Sequence, residues 1–215
     1  MVKICGINDE AAIRAVHAAG TEMLGFVFFA ASPRAVTPER AAALSALIPT
    51  AAEGGPQRVG LFVDPEDAAL DAVLAALPLD LIQLHGTETP ERCAAIRART
   101  GRPVMKALGI AGAEDLALLP RYAASVDQFL LDAKPLPGSA IPGGNATVFD
   151  WALLHDVTVP RPWLLAGGLT PDNVAEAIRI ARAPGVDASS GLERARGQKD
   201  PERIARFVAA AHAAG

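Results

Sequence analysis

Short apolar runs alternate with longer amphipathic stretches along the chain, and the order repeats. Val2–Cys5, Met23–Phe29, Arg58–Val63, Leu81–Leu84, Pro103–Ala107, Gln128–Leu131, Trp163–Ala166 and Val186–Ser189 read as strands. The stretches between them carry helix signals. Asp9–Ala19 reads as a helix stopped by Gly20. Thr37, Asp64 and Thr89 are each followed by proline and glutamate, the mark of an N-cap with proline in the first turn. The helices they open are predicted to run to about Ile48, Leu77 and Ala98. Further helices are predicted over Ala113–Leu119, Asp150–Leu154, Pro171–Ala181 and Pro201–Ala211. Runs such as Phe26-Val27-Phe28-Phe29 and Trp163-Leu164-Leu165-Ala166 are apolar throughout, as strands covered on both faces are.

Strand followed by helix, eight times over, implies parallel pairing and an α/β fold. In 215 residues each unit has about 27, near the lower end for a (β/α)8 TIM barrel. An open doubly wound sheet shows the same alternation, but the count of eight favours closure. One barrel domain over residues 1–215 is therefore expected, with no linker or low-complexity tract to divide it.

Composition narrows the function classes. Hydrophobic residues make up 51% and charged residues 20%, which excludes disorder. The net charge is −4 and no basic run stands out, which argues against nucleic-acid binding. No apolar stretch approaches the ~18 residues of a membrane span, and the start lacks the apolar segment of a signal peptide. Cys5 and Cys93 have no zinc-ligand spacing and no context for a disulfide, so a reduced, cytoplasmic protein without a metal is expected. No Gly-x-Gly-x-x-Gly follows a strand and no phosphate-binding loop of the nucleotide type is present.

In such barrels the chemistry sits at the C-terminal ends of the strands. The residues there are Cys5-Gly6, Ser32-Pro33-Arg34, Asp64, His85-Gly86, Asp132, Gly167-Gly168 and Ser189-Ser190-Gly191. Glycines after the last two strands let backbone N–H groups approach an anion, which points to a phosphate group. Cys5 reads as a small buried hydrophobe or as a thiolate base. Asp132 reads as a loop cap or as a general acid. Arg34 reads as a solvated surface residue or as a carboxylate clamp, its fork making two parallel hydrogen bonds. His85 reads as a pocket donor or a structural histidine. Cys93, inside a predicted helix, reads as filler.

These pieces, in order, resemble the phosphoribosylanthranilate isomerases. The motifs are Lys3-Ile4-Cys5-Gly6-Ile7, Gly25-Phe26-Val27-Phe28 with Ser32-Pro33-Arg34, Gln83-Leu84-His85-Gly86 and Leu131-Asp132. Gly143-Gly144 with Phe149-Asp150-Trp151, Ala166-Gly167-Gly168-Leu169-Thr170-Pro171-Asp172-Asn173-Val174 and Gly185-Val186-Asp187-Ala188-Ser189-Ser190-Gly191-Leu192-Glu193 complete them. The resemblance spans the chain and implies an acid–base Amadori rearrangement of N-(5′-phosphoribosyl)anthranilate in tryptophan biosynthesis. It assigns Cys5 as general base, Asp132 as general acid and Arg34 to the anthranilate carboxylate. Gly167, Gly168, Ser190 and Gly191 match the phosphate grip, and His85 and Asp187 match pocket residues. It implies a phosphorylated small-molecule substrate, no cofactor, and a monomer or homodimer. One departure is Ala146 in Gly143-Gly144-Asn145-Ala146, where the family usually has glycine; alanine does not easily take a positive φ. Two rival readings remain: a related histidine-pathway isomerase, which has aspartate where Cys5 stands, and a non-catalytic phosphate-binding barrel.

Overall fold

The computed structural model describes residues 1–134 and 149–215. The Gly143–Ala146 loop lies outside the described residues. Eight parallel strands close into a barrel in chain order. They are β1 (Val2–Cys5), β2 (Met23–Val27), β3 (Gln57–Phe62), β4 (Leu81–Leu84), β5 (Val104–Ile110), β6 (Gln128–Ala133), β7 (Trp163–Leu165) and β8 (Val186–Ala188). β1 pairs with both β2 and β8, placing Cys5 opposite Gly25 and Lys3 opposite Asp187, and this pairing shuts the cylinder.

Helices α1 (Glu10–Ala18), α2 (Pro38–Ser45), α3 (Asp67–Ala76), α4 (Pro90–Thr100), α5 (Ala113–Leu116), α6 (Leu119–Tyr122), α7 (Val174–Ala181) and α8 (Pro201–Ala214) connect the strands and cover the barrel. Thr37 and Thr89 cap as their sequence signals predict, accepting from the N–H groups of Arg40 and Arg92, and Asp9 precedes α1 as its N-cap, accepting from the Ala12 N–H.

The departures have local causes. Asp64 does not cap α3; it takes φ 45° and its Oδ1 accepts from the Thr87 N–H at 2.7 Å, so Glu66 holds the N-cap position. α7 begins at Val174 rather than Pro171, because Thr170 and Asn173 bond each other in a preceding turn. The Asp150–Leu154 stretch forms one 3₁₀ turn over Trp151–Leu154. β5 continues past Ala107 to Ile110, pairing Gly109 with Asp132. After β8 the chain makes an antiparallel ribbon, β9 (Glu193–Ala195) with β10 (Gln198–Lys199), of which the alternation gives no sign.

Both strand faces are buried, so each carries its own layer. Ile4, Leu24, Phe26, Ile82, Leu84, Phe129 and Leu131 point outward into the core beneath the helices. Met23, Val59, Leu81, Met105, Leu130 and Leu164 fill the interior, with Cys5, Val27 and Leu61 clustered above them. Side chains alternate along a strand. Neighbours of Lys3, Gln83, Asp132 and Asp187 point outward, so these four polar side chains point inward. Outside the barrel wall, Lys106 is also buried and bonds Glu88 and the Gly86 carbonyl, each at 2.7 Å. Glu88 in turn accepts from the Asp64 and Gly86 N–H groups, so the loop just after His85 is fixed from behind.

Candidate active site

Cys5 is the last residue of β1 and is buried. Gly25 beside it leaves room for the sulfur: a Cβ on Gly25 would lie 2.9 Å from the Cys5 Sγ. Burial pushes the thiol up, while the Lys3 and Lys199 ammonium groups pull it down and the Asp187 carboxylate opposes them. Lys3 lies two residues back on the same inward row and bonds Asp187 at 2.7 Å. Burial acts against the Lys3 charge, but the Asp187 carboxylate and Cys5 outweigh it and raise its pKa. Below the sulfur, then, stands a lysine that keeps its proton.

Asp132 lies near the C-terminal end of β6, 7% exposed. Its Oδ1 accepts from the Ala133 N–H at 2.8 Å, and its Oδ2 lies 3.3 Å from the His85 Nε2. His85 follows β4, and its Nδ1 faces the Gln83 Nε2 at 3.1 Å. Asp132 thus stands inside the same barrel mouth as Cys5, with the His85 ring beside its Oδ2.

The loops after β7 and β8 meet one another. Gly167 and Gly168 take φ 93° and 62°, in the left-handed region. Gly191 packs so closely on the Leu169 carbonyl that a Cβ there would lie 2.0 Å from its oxygen. Gly167, Gly168, Ser190 and Gly191 are all half-buried and line this side of the mouth. Asp187 stands below them, paired with Lys3.

Arg34 is buried, which overturns its reading as a solvated surface residue. Its Nε and Nη2 bond the two Glu193 carboxylate oxygens at 2.6 and 3.0 Å. Glu193 also accepts from the Lys199 Nζ and the Gly197 N–H, each at 2.9 Å. Arg34 therefore forms its parallel pair of bonds within the protein, and Glu193 orients its guanidinium. Burial acts against the Glu193 charge, but Arg34 and Lys199 outweigh it and hold its carboxyl below the usual range. Lys199 also bonds the Ser189 carbonyl and hydroxyl at 3.0 and 3.2 Å, tying the β9–β10 ribbon to the loop after β8.

The structure thus places Cys5, Asp132, His85, Arg34, Asp187 and both glycine loops around one end of the barrel. Cys93 lies elsewhere, buried on α4, and burial pushes its thiol up to about 11. Residue-by-residue reading passed over Lys3, Gln83, Glu193 and Lys199 as candidates. Lys3 and Gln83 did carry a signal: each is a long polar side chain in the middle of a four-residue strand flanked by apolar neighbours. Among the described residues no group of three or more His, Cys, Asp or Glu side chains is placed to hold a metal ion.

The model of the N-(5′-phosphoribosyl)anthranilate isomerase family matches residues 2–210. The chain is 57% identical over 212 residues to the N-(5′-phosphoribosyl)anthranilate isomerase of Paracoccus denitrificans, covering 99% of this chain and 97% of that one. Its fold is similar to the phosphoribosylanthranilate isomerase of Thermotoga maritima, with TM-score 0.86, 35% identity, and coverage of 99% and 98% of the two chains. A phosphoribosylanthranilate isomerase in complex with reduced 1-(o-carboxyphenylamino)-1-deoxyribulose 5-phosphate is similar at TM-score 0.84 and 33% identity, again covering 99% and 98%. The chain belongs to the N-(5′-phosphoribosyl)anthranilate isomerase family.

Proposed function

We propose that Cys5 and Asp132 are the base and acid with which this chain converts N-(5′-phosphoribosyl)anthranilate to 1-(2-carboxyphenylamino)-1-deoxyribulose 5-phosphate. The observation that carries this reading is their placement. Both are inward-facing groups at the C-terminal ends of strands on different sides of one barrel mouth. Asp132 gives its proton to the ribose ring oxygen. The C1′–O bond then breaks, and the nitrogen lone pair forms a Schiff base. The Cys5 thiolate removes the C2′ proton, and the released pair neutralises the iminium nitrogen to give an enolamine. Tautomerisation delivers the C2′ ketone, so the reaction is redox-neutral overall and needs no external oxidant.

Other residues position the substrate. The Gly167-Gly168 and Ser190-Gly191 loops offer backbone amides to the phosphate. Arg34, held by Glu193, takes the anthranilate carboxylate. The charges of Lys3 and Lys199 favour the Cys5 thiolate. His85 orients Asp132. The net charge of −4 does not attract an anionic substrate, so these local donors supply its binding.

We take the protein to act in the cytoplasm, as monomer or homodimer; among the described residues no helix is long and apolar enough to cross a membrane. Expression in a tryptophan auxotroph lacking the isomerase should restore growth, with no rescue of the corresponding histidine auxotroph. Rescue of the histidine auxotroph alone would favour the histidine-pathway reading, and rescue of neither the non-catalytic one.

A further inference from the structure

Gln83 points into the barrel and is fully buried, two residues before His85 on the same inward row of β4. Its amide nitrogen lies 3.1 Å from the His85 Nδ1, and its Oε1 is buried with no hydrogen-bond partner among the described residues. An amide NH₂ can only donate. The Nδ1 it faces must therefore be the bare nitrogen, and the ring proton sits on Nε2, 3.3 Å from the Asp132 Oδ2. Turning the amide over would give Oε1 a partner but would strand an NH₂ group in the interior. Orphaned buried donors are rarer than under-satisfied carbonyl oxygens, which favours the orientation found.

We infer that Gln83 is a positioning residue that keeps His85 neutral, as the Nε2–H tautomer, so that Asp132 can hold the proton it must donate. This rests on the reading of Asp132 as the general acid. An imidazolium 3.3 Å away would favour the ionised carboxylate and spoil the acid before substrate arrives. Forming that imidazolium requires a proton on Nδ1, which the Gln83 amide meets donor to donor. The neutral ring still donates one hydrogen bond. Together with the Ala133 N–H it stands ready for the carboxylate that appears once the proton has left. The unpartnered Oε1 is explained in the same way: the orientation that would satisfy it is the one that would charge the ring.

The test begins with the unaltered protein. Nitrogen and carbon NMR of labelled histidine, with the His85 signals identified by their loss in His85→Gln, should show a neutral Nε2–H ring at pH 7. Gln83→Glu would replace the donor with an acceptor. The ring signals should move toward imidazolium, and kcat should fall by at least about tenfold while KM changes less than about threefold. Gln83→Met, close in volume and without a donor, should give a mixture of tautomers and an intermediate kcat. A parent ring protonated on Nδ1, or a Gln83→Glu variant with the parent's ring signals and kcat, would overturn the inference. The parent's tautomer is read without turnover, so it decides the role of Gln83 even if Asp132→Asn proves active and the acid assignment falls.

Discussion

The two halves of the barrel mouth are built on opposite electrostatic plans. Around Cys5 stand formal charges: Lys3 with Asp187, and Lys199 with Glu193 and Arg34, all buried. Around Asp132, among the described residues, stand a histidine ring bonded to a glutamine amide and one backbone N–H. On the roles proposed for Cys5 and Asp132, the difference follows from the proton each group must carry. A buried thiol resists ionising, so a base made from it needs cations nearby. A general acid must begin protonated, and a cation beside it would defeat that. Under the proposed roles, one half supplies full charge and the other a histidine donor and a backbone N–H.

The largest effect is expected when the two centres themselves are removed. Cys5→Ala and Asp132→Asn should each lower kcat by about 10² to 10⁴-fold, with circular dichroism and thermal melting showing a folded barrel. Near-parental turnover in either variant would remove that residue from the chemistry and leave its half of the mouth a structural feature.

A smaller effect is expected when only the surroundings of the base change. Lys3→Met alone would leave Asp187 buried and uncompensated, at a cost of about 3–5 kcal/mol, and would confuse folding with catalysis. The double variant Lys3→Met, Asp187→Leu removes both charges and keeps an apolar filling of similar size. Its rise in kcat/KM with pH, which tracks thiolate formation, should move to higher pH, because the Lys3 charge lowers the thiol more than the Asp187 charge raises it, and the deficit should shrink in alkaline buffer. An unmoved pH profile would show that the Lys3–Asp187 pair contributes packing and exerts no net charge effect on the thiol.

The fold was legible because alternation of short apolar runs with capped helices reports a parallel α/β arrangement directly. Strand ends slipped where the pattern carries less information. β5 extends through Leu108-Gly109-Ile110, where the glycine breaks the apolar run while still pairing with Asp132. The residues ending each strand were legible because the fold assigns that rim to function. Gln83 was not, although its partner His85 is two residues on, because only the closed barrel turns both inward; Lys3, Glu193 and Lys199 were not, since their roles depend on partners brought from afar. Lys3 meets Asp187 across 184 positions, and Arg34 meets Glu193 across 159. No window along the chain shows such pairs. The ribbon that carries Glu193 and Lys199 is only three residues paired with two, too short to leave a periodic trace.

The smallest effect belongs to the Arg34–Glu193–Lys199 hub, which positions an arginine and touches no reacting atom. Glu193→Gln keeps the shape of the side chain and loses its charge, so Arg34 is less firmly oriented and KM should rise a few-fold with kcat nearly unchanged. The same variant has a stability signature whose sign follows from the lowered carboxyl. A group held below the ordinary glutamate value of 4.5 binds its proton less readily when folded, so its stabilisation is present above that value. It is lost as the pH falls through the folded value. The parent should therefore melt at higher temperature than Glu193→Gln near neutrality, and the gap should close on titration below about pH 4.5. A gap that stays constant down to pH 3 would mean that the hub stabilises by packing alone. The cations on the Cys5 side would then be held in place without help from the Glu193 charge.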